Sequence, residues 1–394
     1  MRCIPESRPR RGSDPGWPRA GRVRYDGVRM PQSNLETPAP AVNEAGGAET
    51  AEAGRTLRCG VIGVGRMGTH HARLYTEIQG AELIGVVDTD PRRRDEARKK
   101  WGVEAFDTVE QLLAQRPDAV SIATPTAQHR VVAEPLLDEK IACLIEKPLA
   151  PDLDEARAIA EAAERSGVVL QVGHVVRYDP VTLAIGALEG FTPRFIEIHR
   201  VSPMTFRSVD VGVVLDMMIH DIDVLLMLMG NEPEQVQANA VSVFGEAEDV
   251  CNARLSFPAG PDGVRCVANV TASRLALKTE RKIRMICEHT YVSGDFVKGT
   301  GIVVRKTANA EQLTDVRRRL EAGEDLSHVD YLGLVKVDVL PVGRAEPLKL
   351  QIEDFLSALR SGRRPTVDVQ AGFAAVRTAK RIVATAREAG ARMV

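Results

Sequence analysis

The chain has 394 residues, of which 44% are hydrophobic and 27% charged, and its formal net charge is −2 at pH 7. A charge so close to zero does not favour nucleic acid as a partner, and no apolar run approaches the roughly 18–20 residues of a membrane span. The chain is longer than most domains that fold around a single hydrophobic core, so two domains are expected.

The cysteines indicate a reducing compartment. They are scattered without a close C-x-x-C pair, so we interpret them as small hydrophobic residues of a cytoplasmic protein rather than as a disulfide or zinc framework. No His, Cys and Asp cluster has convincing ligand spacing, so no metal is predicted. The six cysteines are Cys3, Cys59, Cys143, Cys251, Cys266 and Cys287.

Residues 1–54 are rich in Pro, Gly, Ala, Glu and Arg and have no periodic pattern. Such a segment cannot bury enough apolar surface to order itself, so we predict a disordered leader. An over-extended start is the alternative, with Met30 as the true first residue. The segment lacks the apolar central region of a secretory signal.

From residue 57 to residue 173, short apolar runs alternate with segments of helical spacing. This alternation predicts an α/β domain over residues 55–174, with a parallel sheet and helices on both faces. Ligands of such sheets bind at the carboxyl ends of the strands. The predicted strands are 57–63, 82–88, 118–124, 141–146 and 168–173, and the predicted helices are 66–79, 91–100, 108–115, 126–139 and 152–166.

The run GVGRMG lies between the first predicted strand and the first predicted helix. It fits the G-x-G-x-x-G pattern, in which glycines permit a tight turn, close approach of a pyrophosphate and close packing of helix on strand. Asp88 ends the next strand, where a carboxylate can bind the ribose hydroxyls. A glycine-rich turn with a capping aspartate is the alternative. The predicted dinucleotide-binding residues here are Gly63, Val64, Gly65, Arg66, Met67, Gly68 and Asp88.

Asp88 favours NAD over NADP, because a carboxylate accepts hydrogen bonds from a free 2′-hydroxyl and repels a 2′-phosphate. Three arginines, Arg92, Arg93 and Arg94, follow closely and could pair with such a phosphate, although they also suit a solvated helical turn. NAD is therefore the predicted cofactor, and NADP stays possible.

The run TPTAQH ends the predicted strand 118–124. Its position predicts that Thr124, Pro125 and His129 lie along the nicotinamide and ribose side of the cleft. For His129, packing of the following helix is an alternative role.

The run IEKPLA ends the next strand with an acid, a base and a proline. A lysine at this strand end lies near the nicotinamide, where Lys147 can hydrogen-bond a substrate oxygen and stabilise its developing charge. Glu146 is expected to set the local charge or to face the cofactor, and Pro148 to fix the backbone that directs the lysine. A strand end with solvated charges is the alternative.

After residue 174 alternating segments dominate, which predicts a second, α+β domain over residues 175–394 with a large, mainly antiparallel sheet covered on one face. Its charged stretch 307–330 is interpreted as an insertion between strands. The alternating segments are RFIEIHRV, QVQANAVSVFG, CNARLSF, VRCVANVTASRL, KIRMICEHTYVSG, GIVVRKT and GLVKVDVLPV.

The apolar run VVLDMMIHDIDVLLMLMG suits a helix packed on that sheet and facing the cofactor cleft. Asp216 and His220 are four residues apart, so they share one helical face, and their apolar surroundings make polar groups without a partner costly. Histidine is the natural proton acceptor near neutral pH. A purely structural Asp–His pair is the alternative. Asp221 and Asp223 are expected to be supporting or capping groups.

Arg177 lies in the segment RYDP near the junction between the two predicted domains. A guanidinium there could bind substrate. Packing or a hinge salt bridge is equally compatible with its position.

Taken together, the separated motifs GVIGVGRMGTHHARLY, ATPTAQH, IEKPLA, DMMIHDID and IEDFLSALRSGRRPTVD resemble those of the glucose-fructose oxidoreductase, inositol dehydrogenase and rhizopine-catabolism (Gfo/Idh/MocA) family. The resemblance covers residues 56–390. It implies a Rossmann domain followed by a domain whose open, mainly antiparallel sheet makes the interface of a homo-oligomer, a dimer or tetramer. It also implies a cis bond before Pro148.

The resemblance further implies that Asp216 and His220 contact the reacting hydroxyls, with His220 and Lys147 as the proton-handling catalytic residues. The expected reaction is NAD(P)-dependent oxidation of a secondary hydroxyl of a sugar, polyol or nucleotide-sugar, or reduction of the ketone. The helix motif loosely resembles the subgroup acting on nucleotide-sugars such as UDP-N-acetylglucosamine. Some members have lost catalysis and sense cofactor as regulators, and this alternative is weakened by the retained Lys147, Asp216 and His220.

Overall fold

The computed structural model describes residues 55–205, 211–260, 262–326 and 331–390. The predicted leader lies outside these residues. Within them the chain forms two β-sheets, one of six strands and one of eight, with helices packed on both. None of the helices in these ranges is long and apolar enough to cross a membrane.

The first sheet is parallel throughout and has the strand order β3-β2-β1-β4-β5-β6, so the predicted Rossmann domain is confirmed. The three-residue strand β3 was not predicted, because an edge strand this short carries too little pattern. The strands are β1 Leu57–Ile62, β2 Ala81–Val87, β3 Glu104–Phe106, β4 Ala119–Ile122, β5 Ala142–Glu146 and β6 Leu170–Gly173.

Five α-helices connect these strands, as the sequence predicts. Strands β4 and β5 are buried along their whole length, which is why they appear in the sequence as unbroken apolar runs. Helix boundaries follow local chemistry: Asp152 caps the last of these helices, and Gly167 ends it with a φ of 70°. The helices are α1 Arg66–Glu77, α2 Pro91–Trp101, α3 Val109–Leu113, α4 His129–Asp138 and α5 Leu153–Ser166.

The second sheet has the order β14-β13-β12-β11-β7-β10-β9-β8 and is antiparallel except for the β7–β10 pair, which confirms the predicted α+β domain. The predicted run KIRMICEHTYVSG forms two strands, since the chain reverses at residues 287–289. The strands are β7 Phe195–Val201, β8 Gln235–Val241, β9 Val250–Ala259, β10 Arg265–Ser273, β11 Glu280–Ile286, β12 Thr290–Asp295, β13 Thr300–Lys306 and β14 Val335–Val339.

The helix predicted to cover this sheet begins with a π-helical turn, Val214–Met218, and continues as an α-helix that ends at Gly230. In the π turn the N–H of Ile219 bonds to the carbonyl of Val214, five residues back. Such turns are rare and occur mostly at functional sites. The remaining helices are α6 Pro180–Gly186, α7 Ile219–Met229, α8 Ala310–Glu321, α9 Pro347–Ser361 and α10 Val369–Glu388.

The chain returns to the first domain near its end. Ile352, Phe355 and Leu356 of α9 are buried in the same apolar cluster as Leu74 and Tyr75 of α1. Helix α9 therefore packs on the first domain rather than on the second sheet. The charged stretch 307–330 contains α8, whose first turn is held by a capping box between Asn309 and Gln312.

Candidate active site

The glycine turn after β1 is shaped for close approach of a ligand. Gly63 has a φ of +85°, and a Cβ on Gly68 would lie 1.8 Å from the carbonyl oxygen of Gly63. Around Gly65, in contrast, the nearest atom to an added Cβ is Nη1 of Arg93 at 3.7 Å. Gly65 caps α1 without a side-chain hydrogen bond, so the N–H groups of the first turn are free to bind an anion. Arg66 and Met67 lie in that turn.

Asp88 lies beside this turn and is buried. One of its oxygens, Oδ2, accepts the N–H of Val64 at 2.9 Å, and Oδ1 accepts the N–H of Asp90 at 2.9 Å. The carboxylate is thus held at the end of β2, and its remaining lone pairs can accept ribose hydroxyls. Together with the open space at Gly65, this arrangement fits a dinucleotide.

The predicted arginines lie at the same edge. Nη1 of Arg93 is 3.5 Å from Oδ2 of Asp88, and the side chain of Arg93 is half exposed. Arg94 donates to the main-chain carbonyls of Asp88 and Thr89 at 2.8 and 3.1 Å, whereas Arg92 is exposed. Of the three arginines, Arg93 is therefore the one that forms an ion pair with the Asp88 carboxylate.

His129 connects two strand ends by its ring. Its Nε2 lies 3.1 Å from the carbonyl oxygen of Thr124, and its Nδ1 lies 3.1 and 3.2 Å from those of Pro148 and Leu149. Burial lowers the pKa of His129. The ring therefore braces the loop that carries Thr124 and Pro125, and the hydroxyl of Thr124 is enclosed without a partner among the residues described.

Glu146 belongs to a buried polar chain that the sequence analysis missed. Its Oε1 lies 2.9 Å from Nε2 of His71, whose Nδ1 lies 2.9 Å from the hydroxyl of Ser121; the hydroxyl of Tyr75 is 2.8 Å from the same Ser121 oxygen. Burial raises the pKa of Glu146, but the hydrogen bond to His71 and the charge of Lys147 hold it below its ordinary value. The sequence does contain a signal for this chain: His71 and Tyr75 are four residues apart in GTHHARLY, so both lie on the buried, otherwise apolar face of α1.

Lys147 and Asp216 meet across the two domains. Nζ of Lys147 donates to the main-chain carbonyl of Asp216 at 2.7 Å and to its Oδ1 at 3.2 Å. The expected cis bond between Lys147 and Pro148 is present. The lysine side chain is 19% exposed and that of Asp216 is 40% exposed, so solvent reaches both members of the pair.

His220 lies one turn after Asp216, on the same helix. Its Nδ1 is enclosed and has no hydrogen-bond partner in the described part of the chain. Burial, then the charges of Lys147 and Arg200, lower the pKa of His220 well below its ordinary value. The ring of His174, a residue that the sequence analysis did not single out, packs edge-on against it at 6.5 Å between centroids.

Two buried ion pairs hold this helix in place. Asp221 receives two hydrogen bonds from Arg200 of β7, at 2.8 and 2.7 Å, and Asp223 receives two from Arg177, both at 2.7 Å. Asp221 and Asp223 thus support the helix. Arg177, one of the predicted substrate-binding residues, is 5% exposed and also donates to the carbonyl of Thr366. Arg177 therefore forms a buried salt bridge at the domain junction, and substrate binding by this residue stays a prediction.

Metal ligation has no support in the described ranges. They contain no group of three or more His, Cys, Asp and Glu side chains that could hold a metal ion.

Comparison with known proteins places these features in context. Residues 57–174 match the family model described as an oxidoreductase family with an NAD-binding Rossmann fold, and residues 184–293 match the GFO/IDH/MocA C-terminal domain. UDP-N-acetylglucosamine 3-dehydrogenase from Acidithiobacillus ferrooxidans is 33% identical over 316 residues, which cover 80% of this chain and 93% of that protein. A solved structure of that enzyme covers 84% of this chain and 98% of its own, with 32% identity and a TM-score of 0.74.

A second kind of relative matches a smaller part of the chain. The NAD(+)-dependent scyllo-inositol 2-dehydrogenase of Bacillus subtilis is 36% identical over 127 residues, which cover 32% of this chain and 37% of that protein.

Proposed function

The chain belongs to the GFO/IDH/MocA family of NAD-binding oxidoreductases, and from this premise we propose that it oxidises one secondary hydroxyl of a nucleotide-activated sugar. The observation that carries the proposal is the meeting of Lys147 with Asp216 at the end of β5, one helical turn from His220. In the reverse direction the same site reduces the ketone.

The expected roles begin with the cofactor. NAD, when bound, supplies the hydride acceptor of the reaction. The free N–H groups of the first turn of α1 would bind its pyrophosphate, and Asp88 its ribose hydroxyls. Thr124, Pro125 and Glu146 come from the neighbouring strand ends and would line the nicotinamide side of the cleft.

Lys147 is proposed to stabilise the substrate oxygen. An ammonium group has three N–H donors, and two of them are directed at Asp216. The third is free to donate to the hydroxyl that loses its hydride. Because Asp216 fixes the direction of the ammonium group before substrate arrives, little reorganisation is needed in the transition state.

His220 is proposed to take the proton. Its lowered pKa keeps the ring neutral near pH 7, which is the form that accepts a proton. Nδ1 is enclosed, so Nε2 is the nitrogen assigned to the substrate hydroxyl. Proton transfer converts neutral His220 into a cation while the hydroxyl oxygen becomes the ketone oxygen.

The proposed substrate class rests on how far each relative matches. The UDP-N-acetylglucosamine dehydrogenase matches across both domains, whereas the match to the inositol dehydrogenase covers only a third of the chain. The second domain contributes the helix that carries Asp216 and His220, so the relative that shares it is the better guide to substrate. We therefore infer that the sugar is linked to UDP and that its 3-hydroxyl reacts.

A panel of substrates tests this function. NADH formation should be observed with UDP-N-acetylglucosamine or a related UDP-sugar, and myo-inositol should give turnover at least about tenfold lower at equal concentration. Faster turnover of myo-inositol than of every UDP-sugar would refute the substrate class. NAD binding without turnover of any sugar would favour a cofactor-sensing regulator.

We further propose a cytoplasmic homo-oligomer. On the outer strands of the second sheet, Ile302 pairs with Val339 and Val304 with Val337, and three of these side chains are exposed. A second copy of the chain would cover this apolar strip. Ile302→Lys with Val339→Lys should lower the mass measured by light scattering, and a parent that is monomeric at micromolar concentration would refute the proposal.

A further inference from the structure

The ring of His174 is fully enclosed and has no hydrogen-bond partner in the described ranges. It directly follows β6, it is 0% exposed, and neither Nδ1 nor Nε2 makes a hydrogen bond. Buried polar side-chain atoms in folded proteins nearly always have a partner, either protein or ordered water. A ring with two such nitrogens therefore indicates a bound water or a functional role.

The neighbouring ring shows the same feature. His174 and His220 pack edge-on at an interplanar angle of 90°, with 6.5 Å between centroids, and Nδ1 of His220 is also enclosed without a partner in the residues described. No nitrogen of His174 lies within the roughly 2.7–3.2 Å of a direct hydrogen bond to Nδ1 of His220, since neither group has a partner among the described residues. One water bonded to both rings spans about 5 Å between nitrogens, which suits rings at this distance.

We propose that His174 is a positioning residue for His220, acting through one buried water that receives the Nδ1 proton of His220 in a hydrogen bond and donates to a ring nitrogen of His174. This contact selects the tautomer of His220 with a free Nε2. The Nδ1–H stays on His220 throughout, and when Nε2 takes the substrate proton the same water stabilises the resulting cation. The inference rests on the proposed role of His220 as the base.

The charges around both rings agree with this arrangement. Four residues from four elements act on His220: Lys147 from the end of β5, Arg200 from β7, Arg281 from β11 and His174 itself. The cations Lys147, Arg200 and Arg281 disfavour protonation of His220, and a charged His174 would do the same. A neutral His174, in contrast, adds no charge and can serve Nδ1 through the water as an acceptor that offsets part of the effect of these cations.

His174 has its own set of charged neighbours. Asp223, Arg177, Lys147 and Glu146 act on it in opposite directions, and burial lowers its pKa. A neutral His174 retains a lone pair on one nitrogen, which is what the bridging water requires.

Three variants test the proposal. His174→Phe removes both nitrogens and retains an aromatic ring, and His174→Gln retains a polar group that can bond the water. The matched control is Thr378→Val on α10, which removes another fully buried polar atom that lacks a partner among the described residues. Melting temperature and NAD affinity are measured for each, so that a folding defect is separated from a local one.

The decisive readout is the pKa of His220 itself, measured by NMR titration of its ring proton and assigned by the loss of that signal in His220→Asn. In His174→Phe the inflection should fall by about 0.5–1 pH unit, because the cation loses its acceptor. The turnover number should fall by about 10–100-fold, because the base loses its orientation. His174→Gln should lie between Phe and parent, and Thr378→Val should match the parent.

The NMR titration needs no substrate, so it separates the two proposals. An unmoved His220 inflection in His174→Phe overturns the water-mediated contact, whatever the turnover. A lowered inflection in a protein that turns over no sugar supports the contact and refutes the proposed reaction. Equal loss of turnover in the Phe and Gln variants with an unmoved inflection would mean that His174 has a packing role alone, which also overturns the proposal.

Discussion

Replacing Lys147 with Met removes the ammonium group and retains most of the apolar stem. In the parent, that group has two N–H donors on Asp216 and one left for substrate. Asp216 is 40% exposed and can be solvated when the lysine is lost, so the variant should fold. We therefore expect the change to act on the proposed chemical step rather than on the core.

The expected fall in kcat follows from losing the one N–H of Lys147 that is not directed at Asp216. Removing one preorganised donor to a developing negative charge costs about 10²–10³ in kcat, which corresponds to about 2.7–4 kcal/mol. Loss of Lys147 should also change the pH profile, through the pKa of His220. After burial, the charge of Lys147 is the largest cause of the lowered pKa of His220, so its removal should move the His220 inflection up, toward the ordinary value of 6.5.

NADH formation measured from about pH 5 to about pH 9 reports both effects. The rate should rise with pH through the His220 inflection, since the neutral ring is the proposed base, and in Lys147→Met this rise should occur at higher pH. NAD affinity without substrate should stay within about threefold of the parent. Lys147→Met with more than about a tenth of the parental kcat, or with an unmoved inflection, would refute the assignment of Lys147 to the substrate oxygen.

Three other changes probe different parts of the structure. Asp88→Ala should weaken NAD more than NADP, because the variant loses a hydrogen-bond acceptor for one cofactor and a repulsive charge toward the other; equal losses in titrations would exclude this role. Gly68→Ala should abolish NAD binding in calorimetry or lower the melting temperature, because the added Cβ would lie 1.8 Å from the Gly63 oxygen. The parent should lose stability in thermal melts as pH falls below 6.5, because His174 and His220 have lowered pKa values when folded and must charge on unfolding; His220→Asn should reduce this loss.

Local features of the sequence were sufficient for the fold and for part of the site. Strand and helix periodicity in residues 57–173 predicted the parallel sheet, because each buried strand of such a sheet must be apolar on both faces. The glycine turn and Asp88 were also predictable, since Gly63 and Gly68 meet steric requirements set within a few residues of chain. The cis bond before Pro148 came from family resemblance rather than from any local rule.

Contacts between distant parts of the chain depended on the tertiary structure. The Lys147–Asp216 contact joins residues 69 positions apart, and the Glu146–His71 contact joins residues 75 apart, so no pattern within one element indicates either partner. The sequence left the role of Arg177 open between substrate binding and a salt bridge, and only the fold shows its pair with Asp223, at 2.7 Å.

His174 shows most clearly where the sequence stops being informative. Its neighbours in the chain, Gly173 and Val175, give no indication of function, and its burial beside His220 arises only when the end of β6 meets α7. Periodicity reports which side chains face a core, because it reflects the average environment of a face. Which polar groups meet within that environment is set by packing between elements, and for this protein that packing decided which residues make up the proposed proton-handling site.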